Sequence, residues 1–297
     1  MTSKIDCPKP VDLRPTVFDG RTAIIAGNGA LPVSVVNTLR ASGNNPLVLA
    51  IRGEASDELY CGDYAEIEVV DLGRVVKLLK TNNIRNVVMA GGVRQRPRIS
   101  SIKPDFATLA VVPRFFRALG QGDDRLLRAV IGVLESYGFR VLGAHQIVPD
   151  LLTPEAAQMT LAKPGDRNIA NIALACEAAL AIGHLDVGQG AVAVGGRVVA
   201  LEGAEGTDAM LERVEQMRLT GRIPQSGGVL VKCAKPNQDE RADLPAIGTD
   251  TVVNAKRAKL DGIAVEARRT LILDFGKTIE TANKLDIFIT SFPPQEA

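Results

Sequence analysis

TAIIAGNGALP, Thr22 to Pro32, carries an apolar run into a Gly-Asn-Gly loop and then into the helical period of Leu31, Val35 and Leu39. An apolar segment of strand length, closed by glycines and followed at once by a helical repeat, is a strand turning into a helix. The same unit recurs outward from it. PLVLAI, AEIEVVDL, NVVMAGG and FRVLGA are further Val/Ile/Leu-rich runs, and between them lie the helical periods Val75, Leu78, Leu79 and Leu126, Leu127, Val130, Ile131, Leu134. Strands separated by helices predict a parallel sheet covered on both faces, with any ligand at the carboxyl ends of the strands.

Near residue 150 the texture changes. Residues 19–150 read as a Rossmann-like α/β domain and 151–297 as a second, mixed α/β domain, behind a loose leader at 1–18 that has no apolar core of a signal peptide. Thr153, Pro154 and Glu155 offer the cap, first-turn proline and early acid of a helix start. Helices are expected over 166–184 and in TDAMLERVEQMRL and TDTVVNAKRAKL. Strands are expected on either side of Gly195 and Gly196, in GVLVKCA, twice in GIAVEARRTLILDF and last in LDIFIT.

The bulk numbers exclude some functions. A chain of 297 residues is too long for a typical single core, and 46% hydrophobic with 23% charged residues is a soluble globular balance. A net charge of +1, 4% aromatic residues and no Trp argue against a nucleic-acid partner. Cys7, Cys61, Cys176 and Cys233 show no paired spacing, which fits a reducing cytoplasm, and His145 and His184 lie outside any metal motif and read as structural. A metal would therefore take oxygen ligands, which favours magnesium over zinc. The most apolar later segment, NIANIALACEAALAIG, is interrupted by Glu177 and is shorter than the roughly 20 residues that cross a bilayer.

Several junctions carry chemistry. In the first loop, Gly27, Asn28 and Gly29 open a helix whose amino terminus suits either a phosphate or simply a tight turn; Pro32 stands where a dinucleotide fingerprint has its third glycine, and Arg52 where an NAD site has an acid. The second loop, from Gly91 and Gly92 to Arg94, Arg96 and Arg98, suits anions or is surface charge. Glu202, Glu205, Gly206, Thr207 and Asp208 sit at one strand-to-helix junction and Thr249 and Thr251 at another, as helix caps or as part of a diphosphate and metal site. The segment from Lys235 to Pro245 sets Lys235 just before Pro236 and packs Asp239, Glu240, Arg241 and Asp243 between Pro236 and Pro245. Extended, it places Asp239, Arg241 and Asp243 on one face, with the two aspartates roughly 13 Å apart.

LEGAEGTDAM, GGVLVKCAKPNQDERADLPAIGTDTV and DGIAVEARRTLILD resemble the LpxI family of UDP-2,3-diacylglucosamine pyrophosphatases, as do AIIAGNGALP, GGVRQRP and GDDRLLRAVIGVLESYGFRVLGAH in the first half. The resemblance implies a magnesium-dependent hydrolase, with manganese as a substitute, that splits UDP-2,3-diacylglucosamine into UMP and 2,3-diacylglucosamine 1-phosphate. It further implies a homodimer at the cytoplasmic face of the inner membrane and a lipid-linked UDP-sugar as partner. The family's catalytic, metal-holding aspartate falls on Asp239, with Gln238 beside it and Lys235 and Arg241 balancing phosphate charge. The loops through Gly27, Asn28, Gly29, Gly92 and Arg94, and the junctions through Glu205, Gly206, Thr207, Asp208, Thr249 and Thr251, are then substrate contacts. Two other readings stay open: a nucleotide-dependent oxidoreductase on the first half, and a nucleotide-lipid binding module without turnover.

Overall fold

The computed structural model describes residues 18–69, 71–93, 123–155, 157–236 and 238–294. The leader therefore lies almost wholly outside the described residues, as do Arg94, Arg96 and Arg98. The chain divides into two compact units.

In the first unit β1 (Arg21–Ala26), β2 (Leu47–Ile51), β3 (Tyr64–Ile67), β4 (Ile84–Ala90) and β5 (Arg140–Leu142) form a parallel sheet in the order β3-β2-β1-β4-β5. The central strands are apolar on both faces because helices α1 (Ala30–Ala41), α2 (Leu72–Thr81) and α3 (Asp123–Ser136) alternate with them; the four-residue α4 (Ala144–Ile147) follows β5. The strand order reverses direction between β1 and β4, so the loops after these two strands flank the crevice where such sheets take ligands.

In the second unit the sheet order is β12-β10-β8-β6-β7, from β6 (Gly190–Val194), β7 (Arg197–Leu201), β8 (Val229–Lys232), β10 (Gly262–Glu266) and β12 (Phe288–Phe292). Here β8, β10 and β12 run parallel, and β6 opposes both β8 and β7. A two-residue pairing of β9 (Ala246–Ile247) with β11 (Leu271–Ile272) stands apart. Side-chain alternation divides the core into two layers. Leu230, Ile263 and Ile289 face α6 (Gly206–Leu219), α7 (Thr249–Arg257) and α8 (Phe275–Lys284), whereas Val229, Val231, Ala264 and Phe288 face α5 (Asp166–His184). Small residues on α5, Ala175 and Ala179, meet small residues on the sheet, Ala191 and Ala193, which lets this helix lie close. The same packing brings Cys176 and Cys233 to an Sγ–Sγ separation of 3.6 Å, a neighbourhood invisible in their sequence spacing.

Two expectations are corrected. Thr153, Pro154 and Glu155 start no helix: the Thr153 N–H donates to the Thr270 carbonyl at 2.9 Å and the Thr153 carbonyl accepts from Arg268, so pairing with the β11 region replaces the cap. Met159 N–H continues the edge by donating to Ile289 O at 3.0 Å. Residues 239–243 are not extended either. The Ala242 N–H donates to the Asp239 carbonyl at 2.8 Å and closes a turn, which places the side chains of Asp239 and Arg241 together. This five-residue turn belongs to the first unit, although the chain on both sides of it belongs to the second.

Candidate active site

The two glycine loops of the first unit are sewn together. Gly27 N–H donates to Ala90 O at 2.9 Å, and Asn28 exchanges backbone hydrogen bonds with Gly92 at 2.8 and 3.2 Å. A Cβ on Gly27 would stand 2.2 Å from the Gly92 oxygen, so the approach requires glycine. Gly29, at φ 91°, opens α1 with nothing within 4 Å of where its Cβ would be. Pro32 occupies the first turn, where the missing donor costs no intrahelical bond. The Asn28 amide donates to Glu54 Oε2 at 2.9 Å. A carboxylate beside this loop favours hydroxyl donors over phosphate there. Arg52 is engaged elsewhere, with Glu66 at 2.8 Å and Glu68 at 2.7 Å.

The Asp239 turn rides on α3 of the same unit. Asp239 N–H points to Asp124 Oδ1 at 3.4 Å, and Asp124, 6% exposed, pairs with Arg128. Arg241 lies across both oxygens of Asp239: Nε donates to Oδ1 at 3.0 Å and Nη2 to Oδ2 at 2.8 Å, while Nη1 donates to Glu135 Oε1 at 2.6 Å. These hydrogen bonds hold the Asp239 carboxyl below the usual carboxylate range and raise the Arg241 guanidinium above its own. Ala242 packs into the first unit's core, and the Glu240 backbone hydrogen-bonds the His145 ring, whose pKa burial lowers.

In the second unit Lys235 and Gln238 close a reciprocal turn: each backbone N–H is answered, Lys235 N to Gln238 Oε1 at 3.1 Å and Gln238 N to Lys235 O at 3.1 Å. Lys235 Nζ meets Asp186 Oδ1 at 2.5 Å. At the β7–α6 junction Glu202 and Thr207 turn inward, Thr207 donating to Glu202 Oε1 at 2.7 Å and accepting from Lys232 Nζ at 2.8 Å. Glu202 and Lys232 are 7% and 5% exposed and 3.8 Å apart. Glu205 and Asp208 serve other partners, Arg213 and Asn254. Gly206 supplies the positive φ that starts α6. Thr251 accepts from Gly248 N–H at 3.3 Å as a cap, and Thr249 meets Thr278 at 3.4 Å. Asp124, Glu135, Asp186 and Lys232 lie outside the candidate site residues of the sequence. Lys232 alone carries a signal there, a lysine ending the apolar run VLVK, because a cation on a buried strand needs a partner.

Comparisons with known proteins agree along most of the chain. Residues 21–151 match the LpxI N-terminal domain and residues 155–290 the LpxI C-terminal domain. The protein named UDP-2,3-diacylglucosamine pyrophosphatase LpxI from Caulobacter vibrioides is 38% identical over 278 residues, 93% of this chain and 99% of the relative. Among solved structures, an NAD-bound UDP-glucose-4-epimerase from Stenotrophomonas maltophila is 10% identical at a TM-score of 0.28, over 40% of this chain and 34% of that one. The Bordetella bronchiseptica enzyme WbmG with NAD is 18% identical, also at 0.28, over 43% and 37%. Those two likenesses are too distant to bear on the chemistry. The two domain matches and the full-length relative show that the chain belongs to the LpxI family.

Proposed function

We propose that this chain hydrolyses the diphosphate of UDP-2,3-diacylglucosamine in lipid A synthesis, releasing 2,3-diacylglucosamine 1-phosphate and UMP. The observation that carries the reading is the relative of that name, matched over nearly all of both chains. The Asp239 environment supports it. Hydrolysis of a phosphoric anhydride is mostly positioning and charge neutralisation, and Asp239 is an ionised carboxylate fixed by Arg241 on a helix platform.

The donor set fits magnesium that arrives with the diphosphate, not a pre-built cage. Among the described residues no group of three or more His, Cys, Asp or Glu gathers to hold a metal. Magnesium commonly takes one or two carboxylates together with substrate phosphates, and Asp239 would be the residue that holds it. When bound, the ion neutralises the phosphoryl oxygens as a Lewis acid. Lys235 brings an ammonium to those oxygens, and Arg241 keeps Asp239 charged and aimed. Glu54, which accepts from the Asn28 amide, would accept from hydroxyls of the nucleoside. The lipid substrate sets the place of action, the cytoplasmic face of the inner membrane, with the enzyme as a homodimer. No helix among the described residues is long and apolar enough to cross a membrane.

The test is UMP release by the purified protein. With Mg²⁺ it is expected, with EDTA it stops, and Asp239→Ala lowers it about a hundredfold or more, the scale of one lost contact to developing charge. Tight substrate binding without UMP would favour a binding module, and an NAD(P)-dependent fluorescence change an oxidoreductase.

A further inference from the structure

The turn that ends α5 carries a carboxylate for which the reaction above has no use. Asp186 stands two residues beyond His184 at φ 55°, the left-handed conformation that commonly closes a helix. Its Oδ1 is 2.5 Å from Lys235 Nζ, and the two side chains are only 21% and 14% exposed. Its Oδ2 is buried and receives no hydrogen bond. The helix end itself presses on the lysine, since a Cβ on Gly183 would stand 3.5 Å from Lys235 Cα and 3.2 Å from Pro236 Cδ. The Lys235 ammonium thus meets a carboxylate carried by the turn that closes a 19-residue helix.

We propose that Asp186 is the positioning residue for Lys235. A free lysine side chain loses rotamer entropy when it is ordered. Asp186 imposes that order before any ligand arrives. An ammonium has three donors; Asp186 takes one, and two remain to meet the oxygens of a nucleoside diphosphate in a fixed geometry. The catalytic consequence rests on the diphosphatase reading. The hold on Lys235 does not.

Two measurements test it on the full chain. Acetylation by an N-hydroxysuccinimide ester, read at Lys235 by mass spectrometry, needs no substrate. Asp186→Asn keeps the left-handed turn, which asparagine tolerates, and removes only the charge. Lys235 should react about tenfold faster or more in this variant, as losing a charge-assisted partner implies, and Asp186→Glu should return it to the protected state. In UMP release, Asp186→Asn should be slower by a similar factor, yet add no loss in a Lys235→Met background, because the two act through one group. Equal acetylation of wild type and Asp186→Asn, or a further loss in the double variant, would overturn the proposal. If the wild type releases no UMP, the diphosphatase reading falls, and acetylation alone decides whether Asp186 holds Lys235.

Discussion

Asp239 keeps its charge because Arg241 covers both of its oxygens, and this fixes how the site responds to acid. In Arg241→Gln the carboxyl returns toward the ordinary range, so the acid limb of the pH–rate profile should move to higher pH; an unmoved limb would assign it to another group. The sign for stability follows from linkage. A depressed carboxyl contributes stability that is present above the unfolded value of about 3.9 and is lost as pH falls through the folded value. His145, lowered by burial, behaves likewise nearer neutrality: its contribution is complete above about 6.5 and fades as pH falls through the folded value. The sequence showed Asp239 and Arg241 as charges two apart between prolines, but not their geometry. Two residues apart means one face of a strand or the two arms of a turn, and the choice is made by packing of Ala242 and hydrogen bonds to α3, which are remote in sequence.

At the scale of elements, α6 ends on a buried arginine. Arg218 is 1% exposed, and its guanidinium donates to the carbonyls of Ala258 at 2.5 Å, Gly227 at 2.5 Å and Pro224, so one side chain ties the end of α6 to the end of α7 and to the loop before β8. Arg218→Met leaves these buried carbonyls unanswered and should cost about 3 kcal/mol of unfolding free energy, measured as a fall in urea midpoint at unchanged slope. A loss under about 1 kcal/mol would mean that water replaces the guanidinium. Elements of this kind were legible wherever period and length agreed: the strands ending at Ala26, Ile51 and Ala90 and the helix over 166–184 stand where apolar pattern and turn residues placed them. Residues 153–160 misled because a Thr-Pro-Glu string meets the local rules of a helix start, while its backbone groups find better partners at residues 268–291. Local propensity is a weak prior against such pairings.

At the scale of the molecule, two units share one chain that leaves the second, contributes residues 239–243 to the first and returns. Native-state hydrogen exchange gives this a measurable form: the Ala242 and Asp243 amides, both bonded to the Asp239 carbonyl, should exchange in step with α3, not with β8. Exchange in step with β8 would show that the turn opens with the second unit. The change of texture near residue 150 was legible because it lies in the linear order of strands and helices. The return of 239–243 was not, because no composition marks a segment that packs on residues more than a hundred positions earlier. That separation also orders events in time. Asp124 and Glu135 are made long before the turn they hold, and each extra residue of closed loop adds entropy that the docking must overcome. The first unit can collapse around its sheet early, whereas the geometry around Asp239 should form later. A slow late folding phase should therefore coincide with the gain of activity.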